Sequence, residues 1–404
     1  MKRKLISTLV AAAFGVAAGA AQAQITDGVV KLGVMNDMSG LYADISGPGA
    51  LVAARLAVED FQKTSKAGLK VEVIGADHQN KPDVGSTVAR TWLDVDKVDA
   101  IVDVPTSSVA LAINQIVRDK NRVFLNSGAA TSDLTGKACS PNTVHWTYDT
   151  WMLANGTGSA IVKTGGDSWF FLTADYAFGH ALERDTTAAV TKAGGKVLGG
   201  VRHPFPGQDF SSFLLQAQSS KAKVIALANA GGDTINSIKQ ASEFGITRGG
   251  QNLAGMLMFI NDVHSLGLNT AQGLIFTESF YWDLNDQTRA WSKRFAAAHN
   301  GKMPSMVQAG VYASVLHYLK AVEALKSDDG TKVIEQMKKM PTDDPLFGKG
   351  SIRADGRKLH PAYLVEVKKP SESKGPYDYY KVRATIPADQ AFRPLNQGEC
   401  PLVK

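Results

Sequence analysis

From Val29 onward, short apolar runs alternate with longer amphipathic stretches, and this alternation limits the chain to parallel sheets wrapped by helices. Val29–Met35, Lys70–Gly75, Asp99–Val104 and Arg122–Leu125 read as buried strands. Ala50–Phe61, Asp83–Val95 and Ser108–Arg118 carry helix-spaced apolar residues between them. The order restarts after Trp146, with strands at Ser168–Thr173, Lys196–Val201, Val224–Ala228 and Leu253–Met258. Helices fall at Trp151–Lys163, Gly179–Ala193, Phe210–Gln218 and Thr234–Phe244. Parallel neighbours need right-handed crossovers, so the pattern predicts two consecutive doubly wound units. Each is about 120 residues long, the size of one domain. A strand at Gly273–Glu278 and helices at Asp286–His299 and Val307–Leu325 follow. From Gly350 the chain turns to strand and loop character.

The first residues set the compartment. Lys2-Arg3-Lys4 is a basic start, Leu5 to Ala20 an apolar run, and Ala21-Gln22-Ala23 a small-x-small cleavage site before Gln24. Residues 1–23 read as a cleaved secretory signal, with no Cys after the site to carry a lipid. An exported chain, most simply periplasmic, follows from it. Loss of Lys2, Arg3 and Lys4 lowers the formal charge of +6 to +3, and the basic residues are scattered, so no nucleic-acid face is expected. Cys139 and Cys400 are the two cysteines; in an oxidising compartment they read as one structural disulfide, the alternative being two separate thiols.

Catalytic spacing is missing. There is no His-x-x-x-His pair, no Gly-x-Ser-x-Gly elbow and no phosphate loop, and Gly47-Pro48-Gly49 lacks the third Gly of a dinucleotide turn. The sequence therefore predicts neither an enzyme nor a bound cofactor or metal. Ligands of open parallel sheets bind outside the carboxyl ends of the strands. The segments at those ends are Asn36–Tyr42, Pro105-Thr106-Ser107-Ser108 and Asn126–Ser132. The last two are rich in hydroxyls and small residues, and Pro105–Ser108 opens a helix whose free N–H groups suit a carboxylate. Capping alone also accounts for each Ser and Thr.

With these features in order, the chain resembles the periplasmic solute-binding proteins of ABC importers, of the Leu/Ile/Val-binding type. Met38-Ser39-Gly40, Thr106-Ser107-Ser108, Ser127–Thr131, Ala174–Gly179, Asp209–Ser212 and Gln240–Gly245 carry the resemblance. It implies an α/β fold of two doubly wound parallel-sheet lobes joined by a three-strand hinge, with the ligand cleft between them. Lobe one would be 27–148 plus 279–350. Lobe two and the C-terminal tail would be 149–278 plus 351–404.

The resemblance also implies a site. Thr106 and Ser107 match the loop that grips a ligand carboxylate, and Gly128, Ala129 and Ala130 match the backbone loop that completes the grip, with Thr131 one step beyond the expected Thr. Phe178 falls where amino-acid binders place a Tyr, with Tyr176 nearby. Tyr42 lies in the first loop, Asn229 follows the lobe-two strand Val224–Ala228, and Met256 lies in the stretch Gly255–Phe259 at the end of the next. Trp146, Tyr148 and Trp282 sit at crossings, either as hinge packing or as rings stacking on the ligand.

Amino-acid binders hold the substrate amine with a lobe-two acid. The matching stretch here, Gly255-Met256-Leu257-Met258-Phe259, has none, and Asp262 is the nearest. A buried unpaired ammonium is costly, so the expected ligand is a small hydrophobic or aromatic acid. The expected partner is an inner-membrane ABC permease, and the chain is expected to be a monomer. A branched-chain amino acid or amide binder is the alternative, with an exported α/β hydrolase behind it.

Overall fold

The computed structural model describes residues 25–403; the signal segment lies outside them. β1 (Val29–Asn36) is apolar on both faces and lies inside a covered sheet, between half-exposed β2 (Lys70–Asp77) and β3 (Ala100–Asp103). β4 (Val123–Asn126) and β5 (Thr143–His145) complete the parallel order β2-β1-β3-β4-β5. Helices Gly47–Thr64, Pro82–Asp94 and Ser107–Asp119 make the crossovers.

The second sheet has the parallel order β7-β6-β8-β9, from β6 (Ser168–Ala174), β7 (Lys196–His203), β8 (Val224–Ala228) and β9 (Asn252–Gly255). The two parallel sheets are the two lobes anticipated from the alternation. β10 (Ile275–Glu278) follows. Helix Met306–Leu325 is buried along nearly its whole length and packs against helix Gly47–Thr64 of lobe one.

Some boundaries differ from the sequence reading. The strand read as Leu253–Met258 stops at Gly255, because Phe259 caps helix Ile260–Leu266 and Met256–Met258 form the turn into it. The helix read as Trp151–Lys163 is interrupted by a π-helical segment, Ala154–Gly158. There Gly156 lies against β10, where a Cβ would sit 2.4 Å from Thr277 Oγ1. Helix Gly330–Lys339 and the short strands β5 and β11 (Thr342–Asp344) were not anticipated, whereas β12 (Gly348–Ile352) and β13 (Lys358–Leu359) fall in or beside the stretch from Gly350 read as strand and loop. β14 (Ala362–Val367) and β15 (Tyr380–Ile386) join β10 in an antiparallel sheet that packs into the lobe-two core.

Three segments pass between the lobes: 146–150, 279–281 and 357–361. Arg357 ties the first to the third. Wholly buried, it donates Nη2 to Thr147 O, Nε to Lys358 O (3.0 Å) and Nη1 to the Asp149 carboxylate (3.4 Å). Its guanidinium lies 4.4 Å from the centre of the Phe392 ring. Asp149 in turn accepts from Met152 N and caps the helix leading into lobe two. Burial pulls Arg357 down to about 10 and pushes Asp149 up; each partner's charge opposes the shift of the other. The tail beyond β15 lies across these segments and ends in a disulfide, Cys139–Cys400, with Cα atoms 5.6 Å apart.

Removing one partner of such a buried pair leaves an uncompensated charge. Arg357→Ala is expected to cost about 3–5 kcal/mol in urea unfolding. Asp149→Asn added to that variant should recover part of the loss; no recovery would mean the carboxylate is not what suffers.

Candidate functional site

The loops after β1, β3 and β4 meet those after β6, β8 and β9 around a narrow cavity. Its walls are Tyr42, Ile45, Pro105, Gly128, Ala130 and Tyr148, with Tyr176, Phe178, Ala230 and Leu257 opposite. No acid lines it.

Each loop is shaped by a named side chain. The Asp37 carboxylate accepts from Gly40 N (2.6 Å) and Tyr42 N (2.9 Å), and so folds the first loop and presents Tyr42. At the end of β3, Asp103 and Val104 have φ of 80° and 60°. This left-handed region favours glycine, and a residue held there costs about 1–3 kcal/mol. The bend delivers Pro105 to the cavity and starts helix Ser107–Asp119. After β4, Asn126 grips its own turn: Nδ2 donates to Ala129 O and Oδ1 accepts from Ala129 N. Tyr148 Oη donates to Gly128 O (2.7 Å). Among the described residues, the N–H groups of Gly128 and Ala130 have no protein acceptor.

The two lobes touch directly here. The Tyr42 and Tyr176 hydroxyls share a hydrogen bond of 2.6 Å, and Gly232 N donates to Leu41 O. Gly231 (φ 56°) permits this approach; a Cβ there would lie 2.5 Å from Leu41 O. Phe205 stacks on Tyr176 with ring centres 3.9 Å apart. Burial, followed by the neighbouring Tyr176, pushes the Tyr42 phenol well above its ordinary value, and burial raises Tyr176 and Tyr148 as well. The three phenols are therefore neutral hydrogen-bonding groups.

Of the residues singled out from the sequence, the structure brings Tyr42, Gly128, Ala130, Tyr148, Tyr176 and Phe178 together on the cavity wall. The others stand behind it. Thr106 Oγ1 is hydrogen-bonded to Asn80 Oδ1, Ser107 Oγ accepts from Thr131 N (3.3 Å), and Thr131 Oγ1 accepts from Asp133 N. Ala129 packs into the lobe-one core. Asn229 is engaged by Thr234, Ser237 and His203. Met256 is in the core, and Leu257 faces the cavity beside it. Trp146 lies away from the cavity, against His317 and Lys358. Trp282 Nε1 donates to Tyr377 O.

Sequence reasoning missed Ile45, Pro105, Ala230, Leu257 and Phe205. Ala230 had a usable signal, since it lies beside Asn229 in the loop after β8. Two buried acids stand near the cleft. Asp262 accepts from Phe259 N (3.0 Å) at the helix start, and Asp233 accepts from Gly207 N (3.0 Å). Burial pushes both up to about 7, against those hydrogen bonds.

Known proteins share this arrangement. The family model described as "periplasmic binding protein" matches residues 29–376. A solved periplasmic binding protein from Burkholderia mallei is 55% identical, with 93% of this chain and 100% of that one covered and a TM-score of 0.91. A solved structure from Burkholderia xenovorans, described as the periplasmic ligand-binding protein of a branched-chain amino acid ABC transporter, is 42% identical over the same shares, with a TM-score of 0.82. The curated Leu/Ile/Val-binding protein homolog 6 of Brucella melitensis is 27% identical over 379 residues, 91% of this chain and 93% of that protein. Two lobes, a cleft at the carboxyl ends of their strands and a family match along most of its length agree: the chain belongs to the periplasmic binding proteins of ABC transporters.

Proposed function

We propose that the chain, exported through its N-terminal signal, traps a small organic acid with a hydrophobic or aromatic body between its lobes and delivers it to an ABC permease. One observation carries this reading. The cavity pairs unpartnered backbone N–H groups at Gly128 and Ala130 with a wall of Tyr42, Tyr148, Tyr176, Phe178 and Leu257, and no acid lies on it. Such a surface offers donors to a carboxylate and apolar faces to a ring, and no counter-charge to an ammonium. Asp262, the acid an amine would need, is engaged by Phe259 N. Solved proteins of this fold from Rhodopseudomonas palustris hold benzoate and 4-hydroxybenzoate, at 21% identity each, and they suggest probes.

Closure would seat the ring between the lobes, and the closed surface is what a permease would read, so delivery follows a population shift. The second reading is a branched-chain amino acid, favoured by the 42% identical relative described for that transporter class. It requires Asp233 or Asp262 to leave its backbone partner and reach the amine.

A thermal-shift screen of refolded protein separates the two readings by pairing benzoate and phenylacetate with phenylalanine, and 4-methylpentanoate with leucine. A ligand at about 100 times its Kd stabilises by about 2.7 kcal/mol. The amine-free acids alone are expected to shift the melt; a shift by leucine or phenylalanine alone would establish an amino-acid binder. Tyr176→Phe removes its hydroxyl bond to Tyr42 across the cleft, worth about 0.5–1.5 kcal/mol. Calorimetry should then show Kd rising by up to about tenfold. An unchanged Kd would mean that the phenol pair does not hold the closed form.

A further inference from the structure

Behind the Gly128 turn lies a carboxyl that ligand binding as described leaves unused. Asp103 is fully buried at the end of β3. Its Oδ2 accepts from Ser46 Oγ (2.5 Å) and, at 3.5 Å, from Asn36 Nδ2. Among the described residues, its Oδ1 has no partner. That oxygen lies against cavity-lining Gly128, where an added Cβ would sit 2.6 Å from it. The strained φ values of Asp103 and Val104 hold the group in this place.

We propose that Asp103 is a positioning residue that becomes protonated when an organic acid enters the cleft, so that the acid anion binds together with one proton drawn from solvent. The inference rests on the carboxylate reading above. A ligand carboxylate at the Gly128 and Ala130 N–H groups is separated from Asp103 by one turn of backbone. Two carboxylates in a desolvated site do not both stay ionised. The protonated acid, by contrast, brings no second negative charge into the buried site.

The surroundings supply no cation to hold the charge. From β1 come Asn36 and the Asp37 carboxylate, the latter already engaged by Gly40, Tyr42 and Asn80. The start of helix Gly47–Thr64 contributes Ser46, and the register partner of Asp103 on β4 is Asn126. Tyr148 faces it as a neutral phenol from the first crossing. His78, after β2, is pulled down to about 4 by burial and stays neutral.

Burial alone already pushes Asp103 up to about 7, against the Ser46 and Asn36 hydrogen bonds. A bound anion raises it further. Affinity is therefore complete below about pH 7 and falls as pH rises above it, by up to about tenfold per unit.

The test is isothermal titration of the full mature chain with benzoate, in two buffers of different ionisation enthalpy, at about pH 6 and about pH 8.5. Proton uptake should be near zero at the lower pH and approach one at the higher, with a weaker Kd there. Asp103→Asn, which resembles the protonated form, should bind with a pH-independent Kd and no uptake. A merely structural role would lower the melting temperature of that variant and leave the uptake in place, which overturns the proposal. So does measurable binding by the unaltered chain without uptake at the higher pH. Should Asp103→Asn fail to fold, Asp233→Asn and Asp262→Asn carry the assignment, and loss of uptake in either overturns it. Failure of benzoate and every other acid of the panel to bind at either pH removes the carboxylate reading itself, and this inference with it.

Discussion

The guanidinium of Arg357 is the junction on which the two-lobed arrangement depends. It is wholly buried, and its charge is met by Asp149, its donors by Thr147 O and Lys358 O, and its face by Phe392. Those partners belong to the first crossing, the third crossing and the tail. An apolar residue could fill the space, but it would not bind two strands and a ring in one geometry. Because Asp149 also caps the helix entering lobe two, the pair sets the direction in which that lobe leaves the hinge. Whether the pair adds net stability matters less than what its loss would release, an unpaired charge at the centre of the hinge.

The cleft divides its chemistry between the lobes. Lobe one brings backbone donors held by their own side chains, with Asn126 fixing the turn and Tyr148 bracing Gly128. Lobe two brings aromatic and aliphatic surface, aligned by Phe205 against Tyr176. Neither half encloses a ligand alone. The close approach at Gly231 and the Tyr42–Tyr176 bond show how tightly the halves fit together.

Much of this was legible in the residues. The alternation of strand and helix led to both parallel sheets because its periods differ sharply, and most strand starts fell within a residue or two. The ends of strands were harder. Gly255 to Phe259 reads as one apolar run, and nothing local tells that Asp262 reaches back to cap a helix and turn Leu257, not Met256, to the cavity. Thr106 shows the other limit. Its hydroxyl looks available in sequence, yet it is hydrogen-bonded to Asn80, a partner 26 positions away on another loop. Local chemistry reveals which loops gather at the sheet edge, whereas the use of each hydroxyl depends on long-range partners. Asp103 was invisible for the same reason, being the last residue of an apolar strand.

The disulfide has a mechanical consequence. β15 belongs with the lobe-two core, while Cys139 sits on the lobe-one loop that follows β4. The stretch between Ile386 and Cys400 is therefore a fourth strap between the lobes, closed through sulfur. Along the way it is held by Arg393, which donates to Ser132 O and accepts from Arg353. A joint strapped along one side opens as a book does, spreading at the cleft and hardly at the spine. The range of that opening is then set covalently, by the length of the strap, and it would widen wherever reduction cuts it.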